Sequence, residues 1–157
     1  MAKGGFRLGA GRPGRKIKVE DCRRLDIRGL QRAGVLTAPW SGRWQWRNPD
    51  NLEVTAWINL SATLSSITLT YQVNGVPVKE ILHLEKSKCT FGGSRQWLKC
   101  PGCNCRAALL LLYGLRFRCR RCHNLKYKSQ SEDQIGRAWR AQRKLEECLS
   151  HHLGRPK

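Results

Sequence analysis

Apolar and polar residues alternate with a period of two through most of residues 43–84. Trp44 and Trp46 interleave with Arg43, Gln45 and Arg47. Val54, Ala56, Ile58 and Leu60 interleave with Thr55, Trp57 and Asn59, and Ile67, Leu69, Tyr71 and Val73 repeat the pattern. Such alternation predicts half-buried strands. Asn74-Gly75 predicts a tight hairpin turn into Val76 and Val78, and Ile81, Leu82 and Leu84 finish the run. Pro77 places this last strand at an edge, because proline cannot donate to a ladder. Residues i and i+2 share a strand face, so Trp44 and Trp46 either both fill a core or both form one exposed stacking surface beside Arg43 and Arg47.

The period changes at both ends of this sheet. Glu20–Ala33 predicts a helix, with Asp21 near its start, Gly34 as its C-cap and a partial apolar stripe of Cys22, Leu25, Ile27 and Leu30. It suits half of a helix-turn-helix, but Pro39, Ser41-Gly42 and Asn48-Pro49 break the chain where a second helix would follow. A packing helix with a basic outer face is the simpler expectation. Towards the other end, Ser131-Glu-Asp-Gln134 reads as a capping box opening a helix from about Glu132 to Leu149. Ile135, Ala138, Trp139, Gln142, Leu145 and Leu149 trace one face of it, and Arg137, Arg140, Arg143 and Lys144 lie mostly elsewhere.

Between sheet and C-terminal helix stands the strongest chemical signal. Cys100-Pro-Gly-Cys103 is followed, after fifteen residues, by Cys119-Arg-Arg-Cys122. Two Cys-x-x-Cys turns joined by a hairpin supply four thiolates to one tetrahedral metal, which predicts a single structural Zn2+ on Cys100, Cys103, Cys119 and Cys122. Ala107–Tyr113, the turn at Gly114 and Leu115–Cys119 make the hairpin. The competing reading, two disulfides or free core thiols, needs for the disulfides an oxidising compartment that nothing else in the chain suggests. Cys105 is a surplus thiol beside the first turn and could replace a ligand. His123 follows Cys122 directly, where joint chelation is awkward. Cys22, Cys89 and Cys148 read as buried thiols.

Charge adds a partner. Thirty Lys and Arg oppose eleven Asp and Glu, a formal +19, more than solubility requires and suited to a polyanion. The excess sits at the ends. Residues 1–19 hold six basic and no acidic side chains and residues 115–157 are +8, whereas residues 48–94 are −1. The glycine-rich arm at 1–19 includes Gly11-Arg12-Pro13, which resembles the core of an AT-hook without its preceding arginine, and which suits a narrow minor groove. The candidate nucleic-acid contacts are Arg12, Arg15 and Lys16 in the arm, Arg43 and Arg47 beside the tryptophans, Arg116, Arg118, Arg120 and Arg121 on the hairpin and second knuckle, Lys126 and Lys128 after it, and Arg137, Arg140, Arg143 and Lys144 on the helix. The start Met1-Ala-Lys-Gly-Gly lacks the apolar stretch of a secretory signal, and Ala107–Tyr113 is too short to span a membrane. A cytoplasmic protein with reduced cysteines is expected.

Several segments together have a family look. They are Asp26-Ile-Arg…Arg32-Ala-Gly-Val-Leu, Trp40-Ser-Gly-Arg-Trp-Gln-Trp, Phe91-Gly-Gly-Ser-Arg-Gln-Trp-Leu-Lys-Cys-Pro-Gly-Cys and Cys119-Arg-Arg-Cys-His-Asn-Leu-Lys-Tyr. The succession resembles small bacterial zinc-ribbon proteins of prophages and other mobile elements, over most of residues 20–135. That resemblance implies a setting on a phage or mobile element, and no mechanism. Where such proteins usually carry a glycine after the first knuckle, this chain has Asn104-Cys105.

The expected class is α+β: a small antiparallel sheet plus a four-cysteine zinc ribbon, flanked by an N-terminal and a C-terminal helix. The expected organisation is a flexible basic arm (1–19), helix and sheet (20–88), ribbon (89–130), basic helix (131–150) and tail (151–157). The expected function is nucleic-acid binding, DNA over RNA, with a regulatory role. The alternative is a factor that docks on a host nucleic-acid-handling complex, as an antitermination or anti-defence inhibitor would. Catalysis is not expected, because His83, His123, His151 and His152 are dispersed and the carboxylates are scattered.

Overall fold

The alternating stretches form one antiparallel sheet that runs further than 43–84. In the computed structural model, which describes residues 17–153 except 38 and 49, it comprises β2 (Trp40–Arg47), β3 (Val54–Ala62), β4 (Ser66–Val73), β5 (Val76–Lys88), β6 (Ser94–Lys99) and β7 (Arg106–Ala107) in chain order. A second antiparallel sheet has the order β1-β8-β9, from β1 (Arg23–Asp26), β8 (Leu109–Tyr113) and β9 (Arg116–Arg118). The helices are α1 (Ile27–Arg32) and α2 (Gln134–Leu153). The class is thus α+β in outline, dominated by antiparallel sheet. The arm residues Arg12, Arg15 and Lys16 and the tail from 154 lie outside the described residues.

Asn74 and Gly75 both take positive φ (51° and 80°), as the predicted tight turn requires, and they join Val73 to Val76. β5 is not an edge strand by order, because it pairs with both β4 and β6. Its two halves divide the work: Val76–His83 pairs with β4 and Leu84–Lys88 with β6. Pro77 stands where β6 does not reach, so its missing N–H costs no ladder bond.

The N-terminal helix is shorter than predicted. Arg23–Asp26 is strand, paired with Leu109–Leu112 of β8, and only Ile27–Arg32 is α-helical. The reason is tertiary. Leu110 belongs to the main core, whereas Leu111 packs in a second cluster with Val19, Cys22 and Leu125. A strand buried on both faces reads as an unbroken apolar run, and β8 takes Arg23–Asp26 as its neighbour. Asp26, not Asp21, then caps α1 by accepting the Arg28 N–H at 3.0 Å. Gly34 (φ 71°) ends it, with Val35 N–H on the Leu30 carbonyl and Gly34 N–H on the Gln31 carbonyl, a Schellman closure. A six-residue helix of this kind is no half of a helix-turn-helix.

Trp44 and Trp46 both turn inward and pack against the core, as does Trp40. Trp46 stacks on Phe117 with ring centroids 6.4 Å apart and donates its indole N–H to the Arg24 carbonyl at 2.8 Å. Gly42 lies so close under the Trp40 ring that a Cβ there would come within 2.7 Å of it. The two sheets share one core, in which Leu25, Ile58, Leu60, Leu82, Leu98, Leu110 and Phe117 are fully buried.

A buried carboxylate links them as well. Glu80 of β5 accepts from the Tyr71 hydroxyl (2.7 Å), from the Phe117 backbone N–H (3.0 Å) and from Arg116 (3.5 Å). Burial, with the Glu80 carboxylate second, raises the Tyr71 phenol far above its ordinary value, so it stays a donor. The Phe117 N–H is an edge group of β9 that would otherwise face a core without a partner.

α2 starts at Gln134, two residues later than the capping-box reading has it. Asp133 caps it, accepting the Gly136 N–H at 2.7 Å, and Glu132 pairs with Arg140 at 2.9 Å. Its apolar face stays open: Ile135, Trp139, Leu145 and Leu149 are each more than 60 % exposed. No helix among the described residues is long and apolar enough to cross a membrane.

Three outcomes follow for stability. Phe117→Ala should cost about 3–5 kcal/mol in urea unfolding, through the cavity between the sheets, and Tyr71→Phe about 1–3 kcal/mol through the lost bond to a buried carboxylate. Burial works against ionisation of Asp26, but the Arg28 side-chain and backbone N–H bonds outweigh it and hold its carboxyl below the ordinary value. Its contribution is therefore complete above the ordinary carboxylate value of about 4 and lost as pH falls through the lower folded value. The penalty of Asp26→Ala, about 1 kcal/mol at neutral pH, should vanish in acid unfolding curves.

Candidate metal centre

The first Cys-x-x-Cys turn lies where β6 ends, and the second where β9 ends. In the first, the Asn104 N–H returns to the Cys100 carbonyl at 2.8 Å, and Cys100 N–H bonds the Cys105 carbonyl at 3.0 Å. In the second, the His123 N–H returns to the Cys119 carbonyl at 3.2 Å and Leu125 N–H to the Arg120 carbonyl at 3.0 Å. Asn104 takes φ 57° and Asn124 φ 50°. Asparagine tolerates this left-handed region better than most residues, so Asn104 and Asn124 can both hold the positive φ that ends each turn. Residues 89–130 are thus divided: β6 and β7 carry the first turn on the large sheet, and β8 and β9 carry the second on the small one.

The turns bring Cys100, Cys103, Cys119 and Cys122 together, with all four sulfur atoms within 4.8 Å of one another. Across the turns, Cys100 Sγ lies 3.8 Å from Cys122 Sγ and Cys103 Sγ lies 3.7 Å from Cys119 Sγ. A tetrahedron with metal–sulfur bonds of about 2.3 Å has sulfur–sulfur edges of about 3.8 Å. A disulfide would need about 2.05 Å. The spacing fits four thiolates around one cation and fits no disulfide among them.

Local N–H groups aim at the sulfur atoms. Cys100 Sγ accepts from Gly102 N–H at 3.4 Å and, across the two turns, from Cys119 N–H at 3.2 Å. Burial opposes ionisation of Cys100, yet the N–H groups of Cys119, Gly102 and Cys103 bring its thiol down to about 7. Cys119 is raised by burial, and Cys122 is pushed up to about 12, first by its hydrogen bond with Cys103. One thiolate is therefore favoured by the fold itself. Four at this spacing need a cation to offset their repulsion. A Cβ at Gly102 would stand 2.9 Å from Arg118 Nη1 and 3.0 Å from Cys122 Sγ, so an added methyl group would displace the Arg118 guanidinium and press on a cluster sulfur.

The other candidates fall outside the cluster. Cys105 is exposed and contributes only backbone to the first turn. The His123 ring is turned to the Leu111 and Arg116 carbonyls, at 3.1 and 3.2 Å, and lies edge-on to Tyr113. Cys22 is buried as expected, but Cys89 and Cys148 are exposed.

The basic residues predicted from sequence divide by neighbourhood. Arg118 lies over the Gly102 turn. Arg120 sits above the Tyr127 ring at 5.1 Å and donates to the Leu125 carbonyl, and Arg121 is exposed. Neither Arg120 nor Arg121 is ion-paired among the described residues. Arg106, not predicted from sequence, lies on the same side and pairs with Glu85. A groove of about 620 Å³ beside the cluster is bordered by Arg106, Arg120, Arg121 and Tyr127. Arg116 is committed to Glu80. Arg43 and Arg47 stand on the outer face of β2, away from this groove, and Lys126 and Lys128 follow the second turn, exposed. Arg137, Arg140, Arg143 and Lys144 are exposed on α2. Sequence spacing could not find Arg106, whose position depends on the β6–β7 register.

Comparisons with protein families, with characterised proteins and with solved structures return no match.

Ligation requires the thiols to lose protons, so metal affinity should rise with pH across the neutral range. In a divalent-metal titration read by thiolate charge-transfer absorption, Cys100→Ser and Cys119→Ser should lose most of the signal and Cys105→Ser should keep it. Gly102→Ala should weaken binding without removing a ligand.

Proposed function

We propose that the chain is a zinc-ribbon nucleic-acid-binding protein, DNA-binding with a regulatory role, of the kind carried by phages and mobile elements. The observation that carries this reading is the cluster of unpaired arginines fixed by the second cysteine turn. Arg120 and Arg121 follow Cys119 directly, so the metal that closes the turn also fixes the backbone from which both side chains project. Arg118 and the exposed Lys126 and Lys128 extend the basic surface on either side in sequence. The formal charge of +19 supplies long-range attraction to a polyanion.

Zinc is the ion this donor set suits. Four thiolates are soft ligands, and Zn2+ imposes no geometry beyond the tetrahedron. Bound there, it would be held by Cys100, Cys103, Cys119 and Cys122, and its chemistry would be structural, because four protein ligands leave no position for water or substrate. A soluble cytoplasmic setting with reduced thiols accords with this donor set.

A second reading is favoured by α2. Its open apolar face, with Trp139 67 % exposed, suits a protein surface better than phosphates. On that reading the protein docks on a host nucleic-acid-handling complex. A host complex that survives nuclease treatment, and is lost with Trp139→Ala, would select it.

The primary test is binding of the metal-loaded chain to duplex DNA at several salt concentrations. Log affinity should fall linearly with log salt. Arg120→Gln and Arg121→Gln should each lower the slope by about 0.9, the release expected for one phosphate contact. Slopes unchanged in both variants would remove this surface from the interface.

A further inference from the structure

The outer face of the large sheet is built differently from the metal-side groove. Cross-strand partners show which side chains share it. Arg43 stands opposite Asn59, Gln45 opposite Trp57, Asn59 opposite Thr70, and Thr70 opposite Lys79. From Ser41 to His83 the side chains on this face include no carboxylate, whereas Arg43, Arg47 and Lys79 are all on it. The strands carry two acidic residues: Glu80 points into the core, and Glu85 continues the face just past His83, where it is paired with Arg106 and Lys99.

Trp57 is the aromatic group at its centre. Trp40, Trp44 and Trp46 pack inward, but Trp57 is 49 % exposed. Arg43 lies over its ring at 4.3 Å from the centroid. An exposed indole costs solvation, and a β3 residue facing inward would have been the cheaper place for it.

A groove adjoins the ring. β3 and β4 pair only over Asn59–Ala62 and Ile67–Thr70. Beyond Asn59 and Thr70 the ladder stops, and an open groove of about 690 Å³ lies there, bordered by Trp57, Thr55, Asn59, Thr70, Gln72 and Arg23. Arg23 reaches across to the Thr55 carbonyl at 3.4 Å. The volume is in the range of small-ligand sites. Its polar border consists of amides and hydroxyls, which can donate to and accept from the edges of a base, and of a guanidinium, which suits phosphate.

We propose that this face binds single-stranded nucleic acid, with one unpaired base stacked on Trp57 at the mouth of the groove and the flanking phosphates on Arg43 and Arg47. The proposal rests on the nucleic-acid reading above and adds a second surface with a different ligand form. An indole offers stacking to any base, but only to one whose face is free. A duplex hides those faces and meets the protein through phosphates. Arg43 covers one face of the indole, so a base would stack on the other, with the guanidinium strengthening the stack across the ring. The part of the face around Trp57 carries no carboxylate, and Glu85 beyond His83 is already paired with Arg106 and Lys99, so nothing there suits a basic peptide.

The test uses the full metal-loaded chain and two fluorescein-labelled probes, an oligothymidylate of about 12 nucleotides and a duplex of equal length. Trp57→Ala should weaken oligothymidylate binding at least about fivefold, the lower bound for loss of one base stack, and leave duplex binding within about twofold. Trp57→Phe should retain most of the single-strand affinity. Arg43→Gln, which leaves the indole in place, should lower the single-strand salt slope by about 0.9. Equal loss on both probes, or no loss on either while the unaltered chain binds both, overturns this proposal and leaves the duplex reading intact. Failure of the unaltered chain to bind either probe overturns both.

Discussion

Four sulfur atoms hold the ends of two different sheets within one tetrahedron. Cys100 and Cys103 follow β6 of the large sheet, and Cys119 and Cys122 follow β9 of the small one. The Cys119 N–H bonded to Cys100 Sγ makes the same connection without a metal, although one such bond cannot overcome the repulsion of four thiolates. Much of the remaining architecture serves this convergence. β7 returns the chain to the sheet edge, and β8 then leaves for the other sheet. Glu80 stands on the opposite side of β9 from β8. It binds the Phe117 N–H two residues before Cys119, so β9 is held along its length by a buried carboxylate and at its end by the thiol cluster.

The core accommodates both sheets because β8 is buried on both faces. Leu110 and Phe117 join the large sheet through Trp46 and Tyr71, and Leu111 joins Val19 and Leu125 behind. Residues 18–22 are consequently part of the fold. Val19 N–H bonds the Lys126 carbonyl, and Lys128 N–H bonds Glu20, so the segment before β1 is fastened to the segment after the second cysteine turn. A metal held by the four cysteines would therefore brace more of the molecule than the two turns alone.

The basic residues are spread over surfaces of different character. Arg120 and Arg121 are fixed beside the thiol cluster. Arg43 and Arg47 accompany an exposed indole on a neutral-to-basic sheet face. Arg137, Arg140, Arg143 and Lys144 ride on a helix whose apolar side has no partner among the described residues. A uniformly charged surface would bind any polyanion in many orientations. Separate surfaces allow phosphate, base and protein contacts to be made by different parts of one chain.

The sequence by itself determined what is local. Cys-x-x-Cys spacing identified the four ligand candidates but left open whether Cys105 replaces one, which the clustering of the other four sulfur atoms decided. Asn74-Gly75 fixed a turn whose positive φ values few other residues accept, and alternation from Trp44 to Leu84 assigned most inward and outward positions. Gly34 marked the end of α1 because its Schellman closure needs only the preceding turn. Only the tertiary structure decided what depends on distant partners. Arg23–Asp26 became strand because β8 offered a free ladder, an outcome that helix propensity over 20–33 could not register. Glu80 became a buried acceptor because β9 presents an unpaired N–H to it, 37 residues away. Trp57 was legible as outward from its period, but its isolation from the other tryptophans, the guanidinium above it and the groove at its side arise from register across three strands. Pairing energy between residues far apart in sequence leaves no mark in either segment read alone.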